Sequence, residues 1–186
     1  MKLVVGLGNP GRKYEGTRHN VGFDVIGELV RRASLGPAKS QFDAEVYDGV
    51  FASERLVLLC PQTFMNKSGG SVQRARDFYK LENEQVLVVC DDFALPLGKL
   101  RLRAQGSAGG QKGLDDTIRC LGTDAVPRLR IGIGPLPEQW DAADFVLGKF
   151  SKEERSEAAL QTVRAADAAV LWASQGIGPA MAQYNG

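Results

Sequence analysis

One histidine, three cysteines and no apolar run approaching the ~18 residues of a membrane span narrow the chemistry open to this chain before any motif is read. A lone imidazole leaves a zinc site almost nothing to work with. Cys60, Cys90 and Cys120 lack C-x-x-C spacing and sit in apolar contexts, so they read as reduced core thiols and not as metal ligands. The N-terminus enters a strand at Leu3 without a signal-peptide h-region, and a cytoplasmic protein is expected. There is no G-x-S-x-G, hence no serine elbow. Internal repeats, linkers and low-complexity tracts are also missing. A length of 186 residues, 44% hydrophobic and 24% charged, fits one domain spanning residues 1–186 with a single sizeable core.

What is present is an alternation of elements. Strands are predicted near 3–8, 45–51, 55–60, 85–91, 98–103 and 128–133, with helices between most of them. VGFDVIGELVRR repeats apolar residues at Val21, Val25, Leu29 and at Phe23, Ile26, Val30, which lie on one helical face. SVQRARDFYK, DDTIRCL and the long EERSEAALQTVRAADAAVLWA carry comparable periods, while QGSAGGQKG reads as a loop. The segment from Ala44 to Cys60, with Gly49 in its bend, reads as an antiparallel hairpin within an otherwise βα pattern. The predicted fold class is α/β, a single domain with a mixed, mostly parallel β-sheet sandwiched between α-helices.

Gly6, Gly8 and Gly11 spell G-x-G-x-x-G directly after the first strand. In a dinucleotide-binding turn the third glycine opens a helix that holds the pyrophosphate, and an acid about 20 positions on takes a ribose hydroxyl. Neither element follows here. Pro10 pushes Asn9 away from the helical region, and RKYEGTRHN is too polar and Gly-interrupted to pack as a helix on the strand. These glycines are expected to serve another site.

Polar residues collect where strands end. VLVVCDD places Asp91 and Asp92 where a doubly buried strand emerges, and ligands of open α/β sheets bind beyond such ends. Asn9 follows the first strand, Asn66 lies in the loop before a helix starting near Ser68, and His19 and Asn20 precede the first long helix. These side chains are in a position to converge above one sheet edge. Each has a plainer reading: His19 as a surface or capping residue, Asn9 and Asn66 as Asx turns, Asp91 as a cap or an arginine partner. The net charge is only +1, yet residues 98–134 hold Lys99, Arg101, Arg103, Lys112, Arg119, Arg128 and Arg130 against Asp115, Asp116 and Asp124. In KLRLR, alternation sends Lys99, Arg101 and Arg103 to one face, which is either a phosphate-binding or a merely solvated surface.

GLGNPG with Y-x-x-T-R-H-N-x-G, PQTFMNKSG, the DD-x-x-LP-x-G turn and RLRIGIG with FVLGKF together resemble bacterial-type peptidyl-tRNA hydrolase, from Lys2 through the C-terminal helix. The resemblance implies a monomeric α/β enzyme, without metal or organic cofactor, that hydrolyses the ester joining a peptide to the 3′ end of tRNA. Its partner would be peptidyl-tRNA, held at the CCA end and acceptor stem, with no membrane involved. It also implies His19 as the catalytic histidine, Asp91 as its orienting aspartate and Asn9 and Asn66 as substrate-binding asparagines. Tyr14, Asn20, Phe64 and Met65 would shape the cleft and touch substrate, and Arg101, Arg103, Lys112 and Arg130 would meet tRNA.

The chemistry is consistent with those roles. An aminoacyl ester is electrophilic enough for attack by water that a histidine deprotonates, without a covalent nucleophile. A carboxylate accepting one imidazole N–H fixes the tautomer, and amide donors stabilise the oxyanion by roughly 3–4 kcal/mol each. One departure stands out: where the family often reads GGHNGL, this chain reads GGQKGL, placing Gln111 and Lys112 at the His-Asn positions. Lysine loses the amide acceptor and adds a phosphate-seeking charge. The rival reading is a non-catalytic RNA-binding protein on the same fold.

Overall fold

The computed structural model describes residues 1–186. Its strands are β1 (Lys2–Gly6), β2 (Lys39–Gln41), β3 (Ala44–Phe51), β4 (Glu54–Pro61), β5 (Val86–Pro96), β6 (Leu100–Arg103) and β7 (Arg128–Gly134). Its helices are α1 (Val21–Arg32), α2 (Ser68–Phe78), α3 (Lys112–Leu121), α4 (Ala142–Leu147), α5 (Arg155–Gln175) and α6 (Ile177–Tyr184). The strands form one sheet in the order β2-β3-β4-β1-β5-β7-β6. β4, β1, β5 and β7 run parallel, β3 and β6 run against them, and β2 runs against β3. The mixed, mostly parallel sheet expected from the βα pattern is therefore present.

Because successive strand residues point to opposite faces, each central strand feeds two cores. Val4, Leu58, Leu87, Val89, Leu129 and Ile131 pack beneath α1, α4, α5 and α6. Leu3, Val5, Leu59, Val88 and Cys90 face the other way, onto α2 and α3. Val21, Val25, Ile26 and Leu29 of α1 are buried, Phe23 and Val30 are half-buried against the same core, and no helix is long and apolar enough to cross a membrane.

The hairpin from Ala44 to Pro61 forms, but it does not bend at Gly49. That residue sits inside β3 opposite Leu56, and the turn falls at Ala52 and Ser53. Both have positive φ, 47° and 68°, the conformation a two-residue loop needs to match the twist of its strands. β5 also outruns its predicted end. Asp91 and Asp92 interrupt the apolar run, yet pairing with β7 continues through Ile131 and Gly132 and resumes after a bulge at Pro96 with Gly134. A Cβ at Gly132 would lie 1.9 Å from the Pro96 carbonyl oxygen, so only glycine lets the bulge close on β7. β2, α4 and α6 were not foreseen from periodicity, being three, six and eight residues long. Cys60 and Cys90 are buried as expected, and Cys120 is only half-buried.

Of the opening glycines, Gly6 and Gly8 allow close packing against α1, while Gly11 takes a φ of 106° in open space. A Cβ on Gly6 would meet the Gly22 carbonyl oxygen at 2.2 Å, and one on Gly22 would meet Leu7 N and O at 2.5 Å. This approach sets α1 directly on β1. Gly22→Ala is expected to destabilise the fold by about 2–3 kcal/mol, read as a lowered denaturation midpoint, because rigid backbone atoms must move apart.

Candidate active site

The chain leaves β1 for the β4 side of the sheet and returns on its other side at β5, so the strand order reverses between β1 and β5. Clefts in α/β sheets open beyond the carboxyl ends at such a point. The β1–β5 ladder ends at Gly6 and Val89, while β5 carries on along β7. Asp91 thus stands beyond the end of β1, and the turn after β1 folds over it. A cleft of about 450 Å³ lies there, lined by Asn9, His19, Asp91, Gln111 and Lys112 among others.

His19 lies in a single 3-10 turn, Arg18–Asn20, immediately before α1. Its Nδ1 is 2.9 Å from both Asp91 carboxylate oxygens. The two side chains are 11% and 3% exposed. An ionised carboxylate only accepts hydrogen bonds, so Nδ1 carries a proton, and in the neutral ring Nε2 keeps the lone pair. The neighbouring Asp92 is used differently: its Oδ1 accepts from the Ala94 N–H at 2.9 Å, and its Oδ2 lies 3.8 Å from Arg130.

Asn9 is oriented by three bonds. Its Oδ1 accepts from the Met65 N–H at 2.8 Å, which leaves the amide NH₂ as its available donor. Asn20 Oδ1 accepts from the Asn9 N–H, and Asn20 Nδ2 donates to the Asn9 carbonyl, each at 2.9 Å. Asn20 is 3% exposed and outside the cleft lining, and its amide holds the Asn9 backbone in place. Tyr14 also lies outside the lining. Its carbonyl accepts from the Thr17 hydroxyl, and the Lys13 ammonium sits 4.8 Å from its ring centre.

Phe64, Met65 and Asn66 line one wall of the cleft. Phe64 is 56% exposed and Met65 is buried. Lys112 is exposed at the rim, and it is the first residue of α3 where the Gly-rich segment was read as loop through Gly113. Gln111 caps that helix, its Oε1 accepting from the Leu114 N–H. Arg130 reaches the lining, but its guanidinium donates to the carbonyls of Ser107 and Ala108, and its side chain is 11% exposed. It braces the loop from within the cleft lining. Arg101 and Arg103 point outward from edge strand β6 beside β7, with Arg101 paired to Arg130 in register, and both stay outside the cleft itself.

Two parts of the site escaped the sequence reading. The opposite wall is α4, started by Asp141, whose carboxylate accepts from Ala143 and Asp144 N–H groups. Asp141 ahead of AADFVL is a cap signal that a six-residue helix makes easy to overlook. Arg18, beside His19, is buried with its guanidinium 4.4 Å from the Phe145 ring and 2.9 Å from Glu154 Oε2. It clasps the His19 turn to α4. Burial pushes the Cys90 thiol up to about 12, so the residue next to Asp91 offers no thiolate nucleophile.

A family model described as peptidyl-tRNA hydrolase matches residues 3–186. A protein of that name from Rhodopirellula baltica is 52% identical over 185 residues, covering 100% of this chain and 97% of the relative. Another from Thermoanaerobacter sp. is 46% identical over 186 residues, covering all of both. The crystal structure of peptidyl-tRNA hydrolase from Acinetobacter baumannii superposes with a TM-score of 0.91 at 34% identity, over 100% of this chain and 94% of that one.

Proposed function

Since this chain belongs to the peptidyl-tRNA hydrolase family, we propose that the cleft between β1 and β5 is where it hydrolyses peptidyl-tRNA, with His19 as general base and Asp91 as its orienting partner. The reaction releases tRNA and free peptide. The observation that carries the residue assignment is the 2.9 Å contact of His19 Nδ1 with both oxygens of Asp91. That contact commits the ring to a tautomer whose Nε2 can take a proton from water.

The water adds to the ester carbonyl and the C–O bond to the tRNA ribose then breaks. The proton held by His19 returns to the departing 3′ or 2′ oxygen. Asn9, its Oδ1 already engaged by Met65, directs its NH₂ at the carbonyl oxygen as negative charge develops there. Asn66, exposed in the same lining, is the second amide. Phe64 and Met65 supply an apolar surface for the 3′ CCA end or the first peptide residue. The enzyme acts as a monomer in the cytoplasm.

Release of labelled acyl group from N-acyl-aminoacyl-tRNA by the purified chain tests the activity. The same material tests how tRNA is held. Arg101, Arg103 and Lys112 are exposed, and each phosphate they neutralise releases counterions. Affinity is therefore expected to fall with salt by about 0.7–0.9 log units per contact for each tenfold rise in salt. Arg103→Ala flattens that slope by about one contact while leaving turnover at saturating substrate unchanged. Lys112→Asn does the same if the lysine meets a phosphate, whereas a salt slope near zero in the wild type would move binding to base or peptide contacts.

A further inference from the structure

Gln111 is buried at the junction of the Gly-rich segment and α3, and both ends of its amide are engaged. Nε2 donates to Asp91 Oδ1 at 3.0 Å and lies 3.3 Å from Met65 Sδ, and Oε1 accepts from the Leu114 N–H at 2.7 Å. A helix cap alone needs only a short acceptor such as Ser, Asp, Thr or Asn, and glutamine is not among the favoured cap residues. The longer side chain reaches something a usual cap cannot.

What it reaches is a carboxylate whose side-chain donors are His19 and Gln111 alone. His19 Nδ1 sits equally far from both oxygens, so by itself it does not fix the rotation of the carboxylate plane. The bond from Gln111 selects Oδ1 and removes that freedom. The amide is neutral and, once its NH₂ is turned to Asp91, offers no acceptor that would compete for the imidazole proton. Its backbone is held in turn, because Arg128 and Arg130 donate to the carbonyls of Ser107 and Ala108 just ahead of it.

We propose that Gln111 is a positioning residue for hydrolysis, clamping the Asp91 carboxylate, and through it the His19 ring, to the first turn of α3. The proposal rests on the reading of His19 as general base. Its effect belongs in turnover and not in substrate affinity, because the amide acts through Asp91.

Gln111→Ser separates the clamp from the cap, since serine accepts from the same helix N–H yet is too short for Asp91. Its melting temperature is expected to stay close to wild type, its kcat to fall about 10–100-fold and its KM to change less than about twofold. Because the chain has a single histidine, its imidazole ¹⁵N spectrum is unambiguous. The wild type is expected as the Nδ1–H tautomer and Gln111→Ser as a mixture. Gln111→Asn, also a good cap and one methylene shorter, is expected to repeat the pattern and covers the case in which the serine variant does not fold. Wild-type kcat together with a wild-type imidazole spectrum in either folded variant overturns the proposal. The spectrum needs no substrate: an altered tautomer with unaltered turnover supports the clamp and counts against His19 as the base.

Discussion

His19→Ala is expected to lower turnover of N-acyl-aminoacyl-tRNA at least 100-fold with little change in tRNA affinity. General-base catalysis by a positioned side chain contributes roughly 10²–10⁴-fold, and no other imidazole exists to take its place. The thiol of Cys90 is held protonated by burial, and Asp92 is turned to the Ala94 N–H, so neither substitutes as base. What remains in the variant is the donor provided by Asn9 and the binding of the tRNA, which supports only residual activity. The check is kcat and KM together with tRNA binding by a separate titration. Near-wild-type turnover would remove the central assignment, and a loss confined to KM would recast His19 as a binding group.

Asp91→Asn is expected to cost about 10²–10³-fold in turnover while leaving the protein folded. The substitution is nearly isosteric, but an asparagine can turn its NH₂ toward Nδ1. That bond favours the tautomer with the proton on Nε2, where the attacking water needs a lone pair. Gln111 reinforces the effect, because its donor to Oδ1 keeps the asparagine oxygen on that side and so puts the NH₂ at the Oδ2 position that faces Nδ1. Asp92→Asn is expected to stay within about tenfold of wild type, since Asp92 contacts the Ala94 N–H and the vicinity of Arg130 and not His19. Turnover of the two variants, with thermal melts to confirm folding, decides between adjacent carboxylates. The reverse ranking would transfer the orienting role to Asp92.

The difference between these neighbours was only partly readable. VLVVCDD marks a buried strand that meets polar residues, and family likeness points to the first aspartate. Whether either oxygen reaches His19 depends on β5 running on along β7 beyond the point where its ladder with β1 ends, and no local pattern announces it. Asn20 shows the same limit. TRHN sits beside the cleft in sequence, yet one residue of rotation turns His19 toward Asp91 and Asn20 toward the Asn9 backbone.

Local chemistry determined the elements that run long enough to repeat. The apolar stripe of α1, the alternation of KLRLR and the continuous apolar runs of β1, β4 and β5 follow from side-chain periods of 3.6 and 2. They led to an α/β fold with its polar residues gathered at one sheet edge. The sole histidine and the lack of a serine elbow narrowed the chemistry further. Tertiary structure alone decided what the buried amides do. Gln111 looked like one more residue of a Gly-rich loop, and only the packing of α3 against the sheet brings its Nε2 to Asp91 while its Oε1 caps the helix. Arg130 reads from the sequence as a tRNA contact, and only its register beside β5 and the folded loop bring its guanidinium to the carbonyls of Ser107 and Ala108. A polar side chain's role is set by which groups lie within about 3 Å of it. For residues far apart in the chain, that is settled by strand order and register and not by neighbours in sequence.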